Sequence, residues 1–274
     1  TSFSLPPFFD GGAAATINLN TGLETTFWTP DGGTLRMWAA ATAPKSVPHS
    51  VLGVLKRNGC TGFSENLALS QESPLQIALA DDLLNQILFS VWRSGALKFP
   101  IPPSLLAGQD LSAFGLTELT LELDMLLPPI VSSCNPYNDT RLQVGDIQIA
   151  VSAKLFGQPI QMDLFAGVEA SASVTADDEG LGLEINGIEN LSSEVVVLTP
   201  GFGSAEQLVD DLIGENLAPV LLDALGGGAL AGFPLPSIDL SGLVAGIPAG
   251  TEIAIKPLNV KRSKGWTVVS GVIK

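Results

Sequence analysis

Asp81-Asp82-Leu83-Leu84-Asn85-Gln86-Ile87-Leu88-Phe89-Ser90-Val91-Trp92-Arg93-Ser94-Gly95-Ala96-Leu97 is the stretch on which the reading of the fold turns. Leu83, Leu84, Ile87, Leu88, Val91 and Trp92 recur at helical spacing and make a broad apolar stripe, with Asn85, Gln86 and Arg93 off it. Asp81 and Asp82 favour the helix start through the backbone dipole, and Gly95 suits the left-handed residue just past its end. A short strand over 75–79 leads into it.

Moving outward, the chain alternates. Glu118-Leu119-Thr120-Leu121-Glu122-Leu123-Asp124-Met125 puts each Leu and the Met on one face of a strand and each polar residue on the other. A second such strand starts at Ile160-Gln161-Met162-Asp163-Leu164 and continues through Val168, Ala170, Ala172 and Val174, its inward residues shrinking to alanine. Asp177-Asp178-Glu179-Gly180 breaks the chain before Leu181-Gly182-Leu183-Glu184-Ile185. Further strands are expected over 142–155, 194–198, 252–261 and 266–273, and Gly145-Asp146 shifts the alternation as a β-bulge does. Long strands with one apolar face and bulges describe a strongly curved antiparallel sheet. A second helix is predicted from the capping box Ser204-Ala205-Glu206-Gln207 through Leu208, Leu212, Ile213, Leu217, Val220, Leu221 and Leu225. Pro219 kinks it and Gly226-Gly227-Gly228 ends it. Residues 1–60 read differently: turn punctuation at Asp10-Gly11-Gly12 and Pro30-Asp31-Gly32-Gly33 separates short β-like runs such as 15–19 and 34–38. They are expected to be an irregular lead-in, or the remnant of an upstream module, before a main domain over 61–274.

Composition narrows the functions. Of 274 residues, 46% are apolar and 15% charged, where about 25% charged is usual. Mean hydropathy is +0.36, yet no run approaches the ~18 apolar residues of a membrane-spanning helix, so the surplus belongs inside. A net charge of −15 from 28 acidic and 13 basic residues excludes nucleic-acid binding, which needs clustered cations. Lys261-Arg262 with Lys264 is expected to be a solvated hairpin tip. Cationic depletion, 29 glycines and many Ser, Thr and Asn point to an extracytoplasmic site, periplasmic or secreted. Thr1 to Asp10 has neither a basic start nor an apolar run, so a leader was removed or the sequence is a piece of a longer chain.

Chemistry-bearing motifs are absent. There is no Gly-x-Ser-x-Gly elbow, and the single histidine, His49, sits between Pro48 and Ser50 and leaves little from which to build a proton relay or metal site. Gly201-Phe202-Gly203 lacks the residues of a phosphate-binding loop. Asp81-Asp82, Asp177-Asp178-Glu179 and Asp210-Asp211 lack EF-hand spacing and read as a helix start, a turn and a wet helix face. Asn138-Asp139-Thr140 and Asn190-Leu191-Ser192 match the glycosylation pattern, relevant only in a eukaryotic secretory host. Cys60 and Cys134 allow one intramolecular disulfide, worth about 4 kcal/mol in the chain-entropy model if formed, and the pairing stays open. The expectation is a non-enzyme with no resident cofactor or metal.

Asp81 to Gln86 with Val91 to Leu97 resembles the first helix of the bactericidal/permeability-increasing protein and lipid-transfer (TULIP) family, where a pattern sxxxxN…ayxaGxL follows a strand. Leu212 to Leu225, with Pro219-Val220-Leu221, is similar to the family's second helix, and Gly232-Phe233-Pro234-Leu235-Pro236 to its exit motif. The closing strands after Ile253 fall where the family has them, so the resemblance covers about residues 65–274. It implies an α+β tubular domain in which a long, highly bent antiparallel sheet wraps a long helix and a second helix completes the tube.

Acyl chains of lipids or fatty acids would lie in an apolar tunnel between helices and sheet. The expected lining is Leu84, Leu88, Val91 and Trp92 on the first helix, Leu212, Val220 and Leu221 on the second, and Leu121, Leu123, Met125, Met162 and Leu164 on strands. The resemblance also implies transient membrane contact, and association through tube ends as a homodimer or with an upstream module of the same kind. The acidic charge departs from relatives that recognise lipopolysaccharide through basic patches. The alternative is a structural or interaction module of a secreted assembly, with the same fold and a closed core.

Overall fold

The helix forms where its pattern places it. In the computed structural model α1 spans Asp81–Ser94, and Gly95 follows at φ 83° with its N–H donating to Trp92 O at 3.0 Å. Glycine accepts that left-handed conformation without the Cβ clash of other residues. The structure describes residues 2–5, 7, 14–30, 32–44, 73–101, 115–132, 140–177, 180–201, 235, 238–239, 248–263 and 265–273. The predicted second helix, including Leu212, Val220 and Leu221, lies outside them, as do His49, Cys60, Cys134 and Asp210-Asp211.

Around α1 the described chain is antiparallel sheet throughout, an α+β arrangement rich in strands. β1 (Ser2–Leu5), β2 (Ala15–Thr29) and β3 (Gly32–Thr42) form one sheet in that order. β4 (Leu75–Ala80) leads into α1, and β5 (Lys98–Ile101) leaves it. β6 (Leu116–Met125), β7 (Ile130–Ser132), β8 (Thr140–Leu155), β9 (Gln158–Ala176) and β10 (Leu181–Val197) follow. The main sheet runs β10-β9-β8-β6-β5, with β7 also pairing β8. β11 (Ile238–Asp239) pairs β12 (Glu252–Ile253), and β13 (Ile255–Ser263), β14 (Trp266–Ile273) and β4 make a third sheet proper.

Most expected strands appear, with informative differences. The bulge expected at Gly145-Asp146 is present as a register shift between Val144 and Ile147, with Asp146 at φ 47°. The separate runs at 181–185 and 194–198 are the ends of one strand, β10. Its polar middle carries two bulges, between Ile185 and Gly187 and between Ile188 and Asn190, which break the alternation without breaking the pairing. β5 contains Pro100, which lacks an N–H, and among the described residues it lies at the sheet edge, where no second partner needs one. Its Lys98 reaches Asp124 at 2.8 Å on β6, and that hydrogen bond raises the ammonium above its ordinary value, so on the alkaline side the lysine keeps its charge beyond the pH at which a free lysine loses it. Gly271 on β14 admits no side chain, because a Cβ there would meet Lys256 O at 2.1 Å.

Residues 2–42, expected to be an irregular lead-in, supply regular strands over their described part. Leu5, Ala15, Ile17 and Ala41 bury in the same core as α1 and the main sheet. Ala41 N donates to Gln86 Oε1 at 3.2 Å and Ser90 Oγ donates to Ala41 O at 3.1 Å. Two helix side chains four residues apart thereby satisfy the outward peptide groups of an edge strand, which would otherwise lie buried without partners.

The basic cluster at 261–264 requires a correction. Arg262 is not a solvated tip residue: its side chain is 7% exposed and its Nη2 lies 2.7 Å from Asp81 Oδ1, itself 1% exposed. Arg262 Nη1 also donates to Thr267 Oγ1, and Asp81 N donates to Gly265 O at 2.9 Å. The first helical residue is thus tied to the β13–β14 hairpin by a desolvated ion pair, more than by its place in the helix dipole. Removing one partner of such a pair leaves a buried charge, at a cost of about 3–5 kcal/mol. Arg262→Ala is therefore expected to lower unfolding free energy by that amount in urea titration. Asp81→Leu combined with Arg262→Met should recover most of the loss, and a double variant no better than the single would disprove the pairing.

Candidate functional site

α1 lies along the main sheet between two fixed points. At its first turns Asn85, 3% exposed, donates from Nδ2 to Val131 O at 3.0 Å and accepts at Oδ1 from Val131 N at 2.7 Å. The amide imitates a neighbouring strand for one residue of β7. Asn85 was placed off the apolar stripe, and this is a second correction: it is buried because the backbone of β7 supplies both partners its amide needs. At the other end Trp92, 1% exposed, donates from Nε1 to Met125 O at 2.6 Å, and Phe89 packs beside it with ring centroids 5.6 Å apart. Met125 N then donates to Leu97 O at 3.2 Å, starting the β5–β6 pairing.

Register shows how far the helix reaches. Val131 pairs Leu142 on β8, and Met125 pairs Ile147. Between those levels α1 is tied to β7 and to the end of β6 and shares one core with the sheet. Past Met125 the apolar face continues in rows across five strands: Phe99–Leu123–Ile149–Leu164–Val195, then Ile101–Leu121–Val151–Met162–Val197. The lengths agree. At 19 residues and ~3.3 Å each, β9 extends about 60 Å, whereas the 14 residues of α1 at ~1.5 Å extend about 21 Å. In the other direction the rows thin to Leu142–Ala170–Ile188 and Thr140–Ala172–Ile185, with Ala170 and Ala172 fully buried.

Nine of the twelve expected lining residues fall in the described chain. Leu88, Val91, Trp92, Leu121, Leu123, Met125, Met162 and Leu164 come together in one core; Leu84 is buried but stands outside that cluster. All nine are 0–5% exposed, so each is packed by protein atoms on every side. Sequence periodicity did not single out Asn85, Gln86 and Ser90, although a polar residue next to an apolar helical run is the signal that could have found them. Nor did it single out the aromatic residues of the β2–β3 hairpin.

Among the described residues no three His, Cys, Asp or Glu side chains gather as a metal site, and no helix is long and apolar enough to cross a membrane.

No protein-family model and no curated protein matches the chain. Among solved structures, a lipopolysaccharide binding protein superposes with a TM-score of 0.37 and 13% identity, over 78% of this chain and 46% of that one. P47 of Clostridium botulinum E1 superposes with a TM-score of 0.37 and 12% identity, over 95% of this chain and 64% of that one. The chain thus spans about half the length of the first and under two thirds of the second. The likeness is distant and of fold alone, and fold does not carry a ligand with it.

The Asn85 contact is open to test. Asn85→Ala leaves a buried N–H and C=O of Val131 without partners, at about 1–3 kcal/mol for each group. Stability in urea is expected to fall by about 2–4 kcal/mol, with hydrogen exchange at Val131 accelerated more than in β13–β14. A loss below 0.5 kcal/mol, about that of a neutral surface substitution, would show that the amide does not pin the helix.

Proposed function

We propose that this protein binds lipid acyl chains against the inner face of its main sheet and shields or transfers them outside the cytoplasm, without chemistry of its own. The observation that carries the proposal is the run of apolar rows past the end of α1. A helix of four turns does not span them, so other apolar groups bury them, and hydrocarbon is as good a cover as protein. Each buried methylene contributes ~0.8 kcal/mol, so a sixteen-carbon chain gains on the order of 10 kcal/mol before association costs. That gain has no direction and therefore tolerates different head groups. The tubular arrangement with a second helix over 204–225 belongs to the same proposal, as does the absence of a cofactor.

A specific observation favours a second reading, an interaction module with a closed core. Side chains exposed by 0–5% leave almost none of their surface open to water, so a guest would have to exchange with protein groups already there. Because side chain and acyl chain are equally apolar, the filled and closed states differ by little more than packing and chain entropy.

Protein purified without detergent is expected to release acyl lipid into organic solvent in near-stoichiometric amount, read by mass spectrometry, and to take up a fluorescent fatty acid after delipidation. No lipid in repeated extracts and no uptake afterwards would overturn lipid binding. A stoichiometric protein partner found under those conditions would favour the closed module.

A further inference from the structure

The β2–β3 hairpin leaves the body of the protein and carries its aromatic residues with it. At the base Ala15, Ile17, Leu19 and Ala41 are buried; from Leu23 to Pro30 every residue is exposed. Phe27 is 66% exposed, Trp28 71% and Trp38 51%, with Leu23 and Met37 at 44% and 43%. Large apolar groups are exposed elsewhere as well, Phe156 at 77% among them, but here five gather on one projecting ribbon, and such a patch marks a contact surface.

Register assigns the faces. Leu23 opposes Met37, Thr26 opposes Leu35 and Trp28 opposes Gly33 on the face that continues the buried one; Phe27 opposes Thr34 and Trp38 opposes Gly22 on the other. Each indole lies over the glycine across from it: a Cβ on Gly33 would meet the Trp28 ring at 2.2 Å, and one on Gly22 the Trp38 ring at 2.5 Å. The rings are held in place without being covered, so little freedom is lost when they bind.

We infer that the tip of this hairpin docks into the interface of a phospholipid bilayer with neutral head groups. Phe27 and Trp28 project to opposite sides of the ribbon's end. A protein surface, including a second copy of this chain, covers one face of a ribbon and leaves the other wet, whereas a bilayer interface surrounds an inserted tip. Tryptophan suits that depth, having an apolar body and one N–H donor. Charge selects the lipid. Within residues 15–42 the only charged residues are Glu24, Asp31 and Arg36. The hairpin is thus nearly neutral on a chain of net charge −15, which repels anionic membranes. This docking does not depend on lipid being carried inside.

The full chain is mixed with phosphatidylcholine vesicles and bound protein is measured by flotation. Binding is expected, little changed by salt, and weakened when phosphatidylserine is added. Phe27→Ser with Trp28→Ser should reduce it about tenfold or more, given the transfer free energy of two aromatic side chains, with thermal unfolding unchanged because both residues are exposed. Trp28→Phe, which keeps an aromatic ring, should retain binding and lose most of the quenching of tryptophan emission by brominated phosphatidylcholine. Absence of wild-type binding, equal binding by the double serine variant, or a change only in oligomeric state by light scattering would each overturn the proposal. Vesicle binding by protein that holds no extractable lipid would leave it standing while the cargo reading fails.

Discussion

One side-chain amide fixes the geometry on which the rest is built. Asn85 completes both backbone bonds of Val131, and so sets where along the sheet α1 begins. Because the helix is rigid, Trp92 then arrives at Met125 two turns later, and the chain turns at Gly95 into β5. Apolar packing alone would let a helix slide along a greasy sheet at little cost. Directional bonds at two levels remove that freedom and leave the rows from Phe99 and Ile101 outward beyond the helix. The edge of β3 is held by Gln86 and Ser90 from the opposite side. The helix is therefore a clamp between two sheets, and its polar residues do the clamping.

Much of this was legible in the residues. Helix α1 could be read from its stripe and from Gly95, and β6, β8 and β9 from strict alternation, because period and punctuation are local properties. The bulge at Gly145-Asp146 was readable as a phase shift. What escaped the reading depends on distant partners. Asn85 looks like a wet position until β7 is known to pass beside it, and Arg262 looks like a turn residue until Asp81 is known to face it. The continuity of β10 was hidden for a different reason: its middle, Asn186 to Ser193, has no apolar alternation, and its pairing with β9 is carried by the backbone. Of the expected lining residues, those on α1 and the strands were recognisable as one inward-facing set. Whether such a set is core or wall is decided by what lies against it, which periodicity does not encode.

That ambiguity is physical. A closed core and a lipid-filled one are made from the same side chains at the same positions, since both demand apolar rows of constant facing. They differ in how readily the packing yields. Past the end of the short helix Leu121, Leu123, Met162 and Leu164 are suited to yielding, because side chains unbranched at Cβ can change rotamer around a guest. The Ala170–Ala172 end is less so: small residues there have no bulk to move aside.

The outer edge of β10 has a consequence for the life of the molecule in solution. Among the described residues this strand has a neighbour on one side only, and it is 17 residues long. A straight ribbon of that length with free peptide groups would be a template on which further chains could stack into fibrils. Two extra residues inserted within a few positions of each other interrupt the regular ladder and, as bulges do, increase the local twist. An incoming segment would then match it over only a short stretch, so the bulges work against edge-to-edge stacking of a sequence that is 46% apolar.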